Sequence, residues 1–181
     1  MKKIVGLVGE TGSGKDTSCD YFKKNYKNVF CFRFSNPLSD VLRIFFDEIK
    51  KEDQQWLAPI LRERFGNNIL GKAIKKKIKS IKKGIIILNG VRMWEEYKMI
   101  KSLRGKIIYI TADSKIRWQR ISKRGEKKDD KIPYQKFLKM EKAETEILIP
   151  KIGRKADFKI ENNGSKQNLN QEIRQIVNKI I

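Results

Sequence analysis

The stretch Gly9-Glu10-Thr11-Gly12-Ser13-Gly14-Lys15-Asp16-Thr17 constrains this chain more than any other. It follows the apolar run Ile4-Val5-Gly6-Leu7-Val8, which predicts a buried strand, and runs into Ser18-Cys19-Asp20-Tyr21-Phe22, which predicts a helix. Strand, glycine-rich turn, Gly-Lys and helix, in that order, form a phosphate-binding loop. Glycines let successive backbone N–H groups curl round an anion, and the helix N-terminus adds the positive end of its dipole. A lysine closing the loop brings a compact charge to the outer phosphates of a nucleotide.

The loop departs from the common pattern at one place. Position 16 is Asp, where Ser or Thr normally offers its hydroxyl to magnesium. Three roles are open: Asp16 ligates Mg²⁺ directly or through water, Thr17 takes the ion, or Asp16 caps the helix that follows. The expected nucleotide contacts are Gly9, Thr11, Gly12, Ser13, Gly14 and Lys15, with Asp16 and Thr17 at the metal.

At 181 residues the chain suits one domain with a full core. No apolar run approaches the roughly 20 residues that span a bilayer, so no membrane partner is expected. The first strand starts within a few residues of Met1, which leaves no room for a signal peptide. Cys19 and Cys31 fall in a predicted helix and strand and read as small core residues of a cytoplasmic protein. There is no histidine, which excludes Ser-His-Asp chemistry and the usual zinc sites. The net charge of +21 suits polyanionic partners. Most of the excess is lysine spread along the chain, so nucleic acid is a possible but not a favoured partner.

Apolar runs at 29–34, 84–89, 106–111 and 156–160 predict further strands, and helical spacing predicts helices between them. Asn36 and Pro37 read as the start of a helix carrying Leu38, Val41, Leu42, Phe45, Phe46 and Ile49 on one face. Helical material continues to residue 83, broken near Pro59 and Gly66. Helices are also predicted over 91–103, from Asp113 or Ser114 to about 123, from Pro133 to before Pro150, and after Ser165. Alternating strands and helices call for a parallel sheet covered on both faces, a single α/β domain.

Ligands of such sheets bind beyond the carboxyl ends of the strands. That rule nominates the loop at 9–17, residues 33–36, 89–92, 111–113 and 162–164. Arg117, Arg120 and Arg124 are three and four apart and share a helix face. Such a row repels itself unless an anion arrives, and guanidiniums suit a transferring phosphoryl group. Residues 124–133 then read as a lid that excludes water.

The loop, the arginine-rich helix with its lid and the segment Ala156-Asp157-x-x-Ile160-x-Asn162-Asn163-Gly164-Ser165 together resemble the P-loop nucleotide kinases. Gly-Lys-Asp-Thr with Phe34-Ser35-Asn36-Pro37-Leu38 is similar to deoxynucleoside monophosphate kinases, although Asn36 replaces an acid. The terminal segment looks closer to dephospho-coenzyme A kinases, whose last turn helps enclose adenine. The resemblance implies a three-layer fold with a five-stranded parallel sheet, ATP and Mg²⁺ as donor and cofactor, a helical acceptor-binding insertion at about 36–83, and Asn163 and Gly164 beside the nucleotide. Catalysis falls to Lys15, Arg117, Arg120 and Arg124.

The two subgroups differ in acceptor chemistry. Kinases that phosphorylate a ribose hydroxyl place a carboxylate after the second strand to take its proton; here that place offers Arg33, Ser35 and Asn36, with no acid until Asp40. A phosphate acceptor attacks through an anionic oxygen and needs positive charge and positioning instead. The residues favour a small phosphorylated acceptor, a (deoxy)nucleoside monophosphate, held by Arg33, Asn36, Arg43 and Arg92. Arg62 and Arg64 divide evenly between surface and site. Asn89 stands where similar kinases carry an Asp that supports magnesium, so the carboxylate of Asp16 is expected to replace it. Dephospho-coenzyme A is the alternative acceptor. A nucleotide-dependent RNA- or ribosome-associated switch is the alternative from another class. Its support is the charge and residues 72–83, where Ile74, Ile78 and Ile81 form a stripe among seven lysines.

Overall fold

The computed structural model describes residues 1–124, 132–143 and 146–180. Along the chain come β1 (Lys2–Val8), α1 (Lys15–Asn25), β2 (Val29–Arg33), α2 (Asn36–Leu42), α3 (Lys51–Phe65) and α4 (Ile69–Ile78). Then follow β3 (Gly84–Val91), α5 (Trp94–Ser102), β4 (Lys106–Thr111), α6 (Ser114–Arg124), α7 (Tyr134–Met140), α8 (Ile149–Gly153), β5 (Phe158–Glu161) and α9 (Lys166–Ile180).

The strands form one parallel sheet in the order β2-β3-β1-β4-β5. The order reverses at β1, which places the loop after β1 at the topological switch point, where such sheets open a crevice. The unbroken apolar runs of the central strands follow from burial on both faces. Ile86 and Leu88 of β3 join Ile74, Ile78 and Ile100 on one side, while Ile85 and Ile87 join Phe22, Ile173 and Val177 on the other. Each such buried side chain contributes about 2 kcal/mol. Beside the loop, Leu7 pairs with Asn89 and Val8 with Val91, so Gly90 is bulged out at φ 82°.

Several boundaries differ from the sequence reading, each for a visible reason. The helix from Asn36 ends at Leu42, and Phe45 and Phe46 are 72% and 56% exposed; helical spacing was present there without a surface to cover it. Pro59 lies inside α3 without ending it; the helix ends at Gly66, whose φ is 87°. α5 starts at Trp94, because the Glu96 side chain accepts the backbone N–H groups of Arg92 and Met93 and fixes the helix start there. The helix after Pro133 ends at Met140, and Pro150 lies in the first turn of the separate α8. The last strand runs over Phe158–Glu161, since Asp157 pairs with Ile107 just ahead of it. α4 stops at Ile78, ahead of Ile81. Except for Arg124, Ile132 and Pro133, the expected lid lies outside the described residues.

Candidate functional site

The loop between β1 and α1 takes its shape from contacts that a side chain would destroy. Gly12 has φ 81°, and a Cβ there would lie 2.7 Å from the Arg117 carbonyl. Gly14, the cap of α1 at φ 107°, would meet the Asn162 side chain at 2.5 Å. Across the loop, Lys15 Nζ donates to the Glu10 carbonyl at 2.8 Å. Burial, reinforced by Arg92, lowers the Lys15 pKa to about 8, while Asp16, Glu146 and Glu10 pull the other way. A buried ammonium without a full counter-charge is poised to gain from an arriving anion.

Asp16 points to the end of β2 and β3. Arg33 Nη2 lies 2.9 Å from its Oδ1, and Asn89 Nδ2 donates to the same oxygen at 2.7 Å. Burial pushes the carboxyl upward, but Arg33 and Lys15 outweigh it and hold Asp16 below its ordinary pKa. The other amide atom, Asn89 Oδ1, is buried with no hydrogen-bond partner among the described residues. Thr17 is half-buried on α1 and does not line the cavity.

A cavity of about 690 Å³ opens from Lys15 and Asp16 between α2, α3, α5 and α7. Arg33, Asn36, Arg43, Arg92 and Arg124 all line it; Arg64 does not. Arg92 reaches Glu146 at 2.6 Å, and Asn36 accepts the backbone N–H of Arg33. Deeper in, Leu38, Ala58 and Leu70 form an apolar wall beside Ser39, Gln54 and Gln55. At that end Glu96 is 1% exposed. Among the described residues its Oε1 has no hydrogen-bond partner and Arg62 Nε has none either; Arg62 Nη2 stands 3.7 Å from Oε1. Burial raises the Glu96 pKa, against the pull of the Arg92 amide and Arg62.

The three arginines of α6 separate. Arg117 is buried: Nε donates to Ala112 at 2.8 Å, Nη1 to the Thr11 carbonyl at 3.3 Å, and the guanidinium pairs with Glu141 over the Phe137 ring. Arg120 donates to the carbonyls of Asn162 and Gly164 at 2.8 and 2.9 Å, tying α6 to the turn after β5. Only Arg124 of the three lines the cavity. The row without matching acids is therefore matched from outside its helix, by Glu141 and by two carbonyls. In the turn, Asn163 Oδ1 accepts the Asp113 N–H, and Asn162 Nδ2 donates to the Ser13 carbonyl at 2.8 Å. Glu10, in the loop itself, accepts the Tyr109 hydroxyl, and burial with that bond pushes Tyr109 up to about 12.

Sequence reasoning missed Glu96, Glu141 and Glu146. The rule of strand ends had nominated Asn162 with its turn, but not its bond to the phosphate loop. The three glutamates carry none, because each is an ordinary helical or loop acid until the fold brings its arginine.

A family model described as an AAA domain matches residues 5–148. A UPF0200 protein of Sulfurisphaera tokodaii is 28% identical over 182 residues, covering 99% of this chain and 98% of that one. A UPF0200 protein of Pyrococcus horikoshii is 27% identical, covering 98% and 97%. Among solved structures, TT1252 from Thermus thermophilus superposes with TM-score 0.63 at 14% identity, over 99% of this chain and 98% of that one. Shikimate kinase from Acinetobacter baumannii in complex with shikimate gives TM-score 0.63 at 19% identity, over 99% and 94%. At such identities the likeness to both structures is one of fold. Because the family model spans most of its length, the chain belongs to the AAA-domain family, and its fold is that of the solved P-loop kinases it superposes on.

Proposed function

We propose that the protein moves the γ-phosphoryl group of ATP to a small phosphorylated acceptor, a (deoxy)nucleoside monophosphate. One observation carries the reading: a single cavity runs from the loop lysine, past Arg33, Arg43, Arg92 and Arg124, to an apolar slot edged with amides. Cations suit a phosphate next to the donor, and a flat slot with polar edges suits a base.

The residues fit both ATP and Mg²⁺. Gly12 and Gly14, at φ 81° and 107°, give the loop the curl that turns backbone N–H groups toward an anion, and Lys15 is a half-buried cation whose charge burial disfavours. Asp16, held ionised, and the orphaned Asn89 Oδ1 are the oxygens available to the ion or its water. Bound there, Mg²⁺ would neutralise charge on the phosphates. In the transfer, an acceptor phosphate oxygen forms a bond to the γ-phosphorus while the bond to the β–γ bridging oxygen breaks, leaving ADP. No base is needed, because the attacking oxygen is already anionic. Lys15 and Arg124 hold the transferring group, and Arg33 and Arg92 exchange their carboxylates for the acceptor. Arg117 and Arg120 act at one remove, by fixing the Thr11 carbonyl and the turn at 162–164.

A hydroxyl acceptor is the second reading, and Glu96 favours it. At the cavity it places a carboxylate oxygen whose ion pair with Arg62 is long, 3.7 Å, with a pKa raised by burial as a proton acceptor requires. A coupled ADP-release assay with ATP and Mg²⁺ separates these readings, across nucleoside and deoxynucleoside monophosphates, dephospho-coenzyme A and shikimate. Response to a monophosphate supports the first; response to an alcohol alone replaces it; silence across the panel overturns both.

A further inference from the structure

At the far end of β1 from the loop lies a second concavity, of about 460 Å³. Lys2, Lys72, Lys75, Lys76 and Lys79 ring it, over a floor of Ile78 and Leu103. It is built by the first residue of β1, the solvent side of α4 and the residue that follows α5. Lys2 Nζ donates to the Ile78 carbonyl at 3.3 Å. The ammonium groups of Lys72, Lys75, Lys76 and Lys79 have no hydrogen-bond or ion-pair partner among the described residues. Lys77, on another side of the same helix, does have one: it meets Asp40. α4 thus neutralises one flank and leaves the other bare. Residues 72, 75, 76 and 79 are three and four apart, so their ammonium groups stack along one face over about 10 Å.

We propose that this cleft binds the phosphodiester backbone of RNA, taking two or three successive phosphates without reading the bases. A concave row of mobile ammonium groups suits a chain of phosphates and offers nothing to discriminate base edges. A lipid surface fits less well. The apolar stripe of α4, made of Leu70, Ile74 and Ile78, is buried in the protein, and no large apolar side chain of the helix is left exposed. A helix that lies on a bilayer needs that stripe free. The cleft is also independent of phosphoryl transfer: the seven residues of β1 separate it from the loop by about 20 Å.

The test is fluorescence anisotropy of the full chain with a labelled oligouridylate of about twelve nucleotides, titrated between about 50 and 200 mM salt. The pair Lys75→Glu/Lys79→Glu is compared with Lys166→Glu/Lys179→Glu, the same change of charge on exposed positions of α9. The cleft pair is expected to weaken binding about tenfold or more and to flatten the log–log salt slope by about 1.4, while the α9 pair weakens it less than about threefold. Equal losses in both pairs would overturn the proposal, because binding would then follow total charge alone. So would absent RNA binding at about 150 mM salt, with or without binding to vesicles of phosphatidylcholine and phosphatidylserine. Circular dichroism checks folding. Should the reversal pair unfold, Lys75→Gln/Lys79→Gln is read instead, and an unchanged slope there overturns the proposal. ATP-dependent activity is expected to stay within about twofold of wild type in every folded variant.

Discussion

The two cationic regions of this molecule are built on opposite rules. At the carboxyl ends of the strands, Arg33, Arg92 and Arg117 each face a carboxylate, from Asp16, Glu146 and Glu141. At the other end of β1, the ammonium groups of three α4 lysines and of Lys79 at its cap meet no acid among the described residues. A guanidinium already seated on a carboxylate is held in a planar, directional geometry. A phosphate that takes the carboxylate's place inherits that geometry, so such a site can orient a reaction. Unpaired lysines create a potential that acts at a distance but fixes no angle. The first region is suited to reading shape, the second to counting charges.

The sharpest way to break this contrast is at the loop. Lys15→Ala is expected to lower the rate of ADP release by about a hundred- to a thousandfold. A variant within about tenfold of wild type would remove the catalytic assignment of the first region. Arg117→Ala comes next. It strands Glu141 and frees the Thr11 carbonyl, and is expected to cost about 3 kcal/mol in denaturant unfolding. Arg117→Lys should recover part of the stability but not the rate, since one ammonium cannot serve Ala112, Thr11 and Glu141 together.

Smaller effects sharpen it. Arg92→Lys is expected to raise the acceptor KM about tenfold and leave the KM for ATP within about twofold, because position and not charge is lost. The pH dependence of ATP binding reports on Lys15. With its folded pKa near 8, the lysine is charged below that value and neutral above it, so ATP affinity falls as pH rises through about 8. In the ATP-free protein the sign for stability is opposite. From about 8 to about 10.5 the unfolded lysine keeps a proton that the folded one has lost, so that stability rises across this window. Calorimetry at pH 7.5 and 9.5 with and without ATP checks both, and a Lys15→Met variant should show neither trend.

Much of the fold was legible because burial leaves a periodic mark. The uninterrupted run of β3 announced a strand covered on both faces, and its flanking helices do cover both. Glycine spacing marked the phosphate loop for the same reason, since backbone shape demands those residues at those positions. Periodicity failed at Phe45 and Phe46: spacing says which side chains share a face, not whether anything lies against it. It failed again at Arg117, whose acid is 24 residues away, at the C-terminal cap of α7. Glu96 shows the limit most plainly. In sequence it is one of two glutamates opening a helix; in the fold one of its oxygens caps α5 and the other faces Arg62 of α3 at 3.7 Å beside the cavity.

The bond from Asn162 to the Ser13 carbonyl joins residues 149 positions apart. In synthesis, the loop is made long before the side chain that braces it. The strands β1, β3 and β4 all precede β5 in the chain, so Ser13 can meet Asn162 only once the turn after β5 has been made. A chain cut short before β5 would carry the whole phosphate-binding motif without its brace.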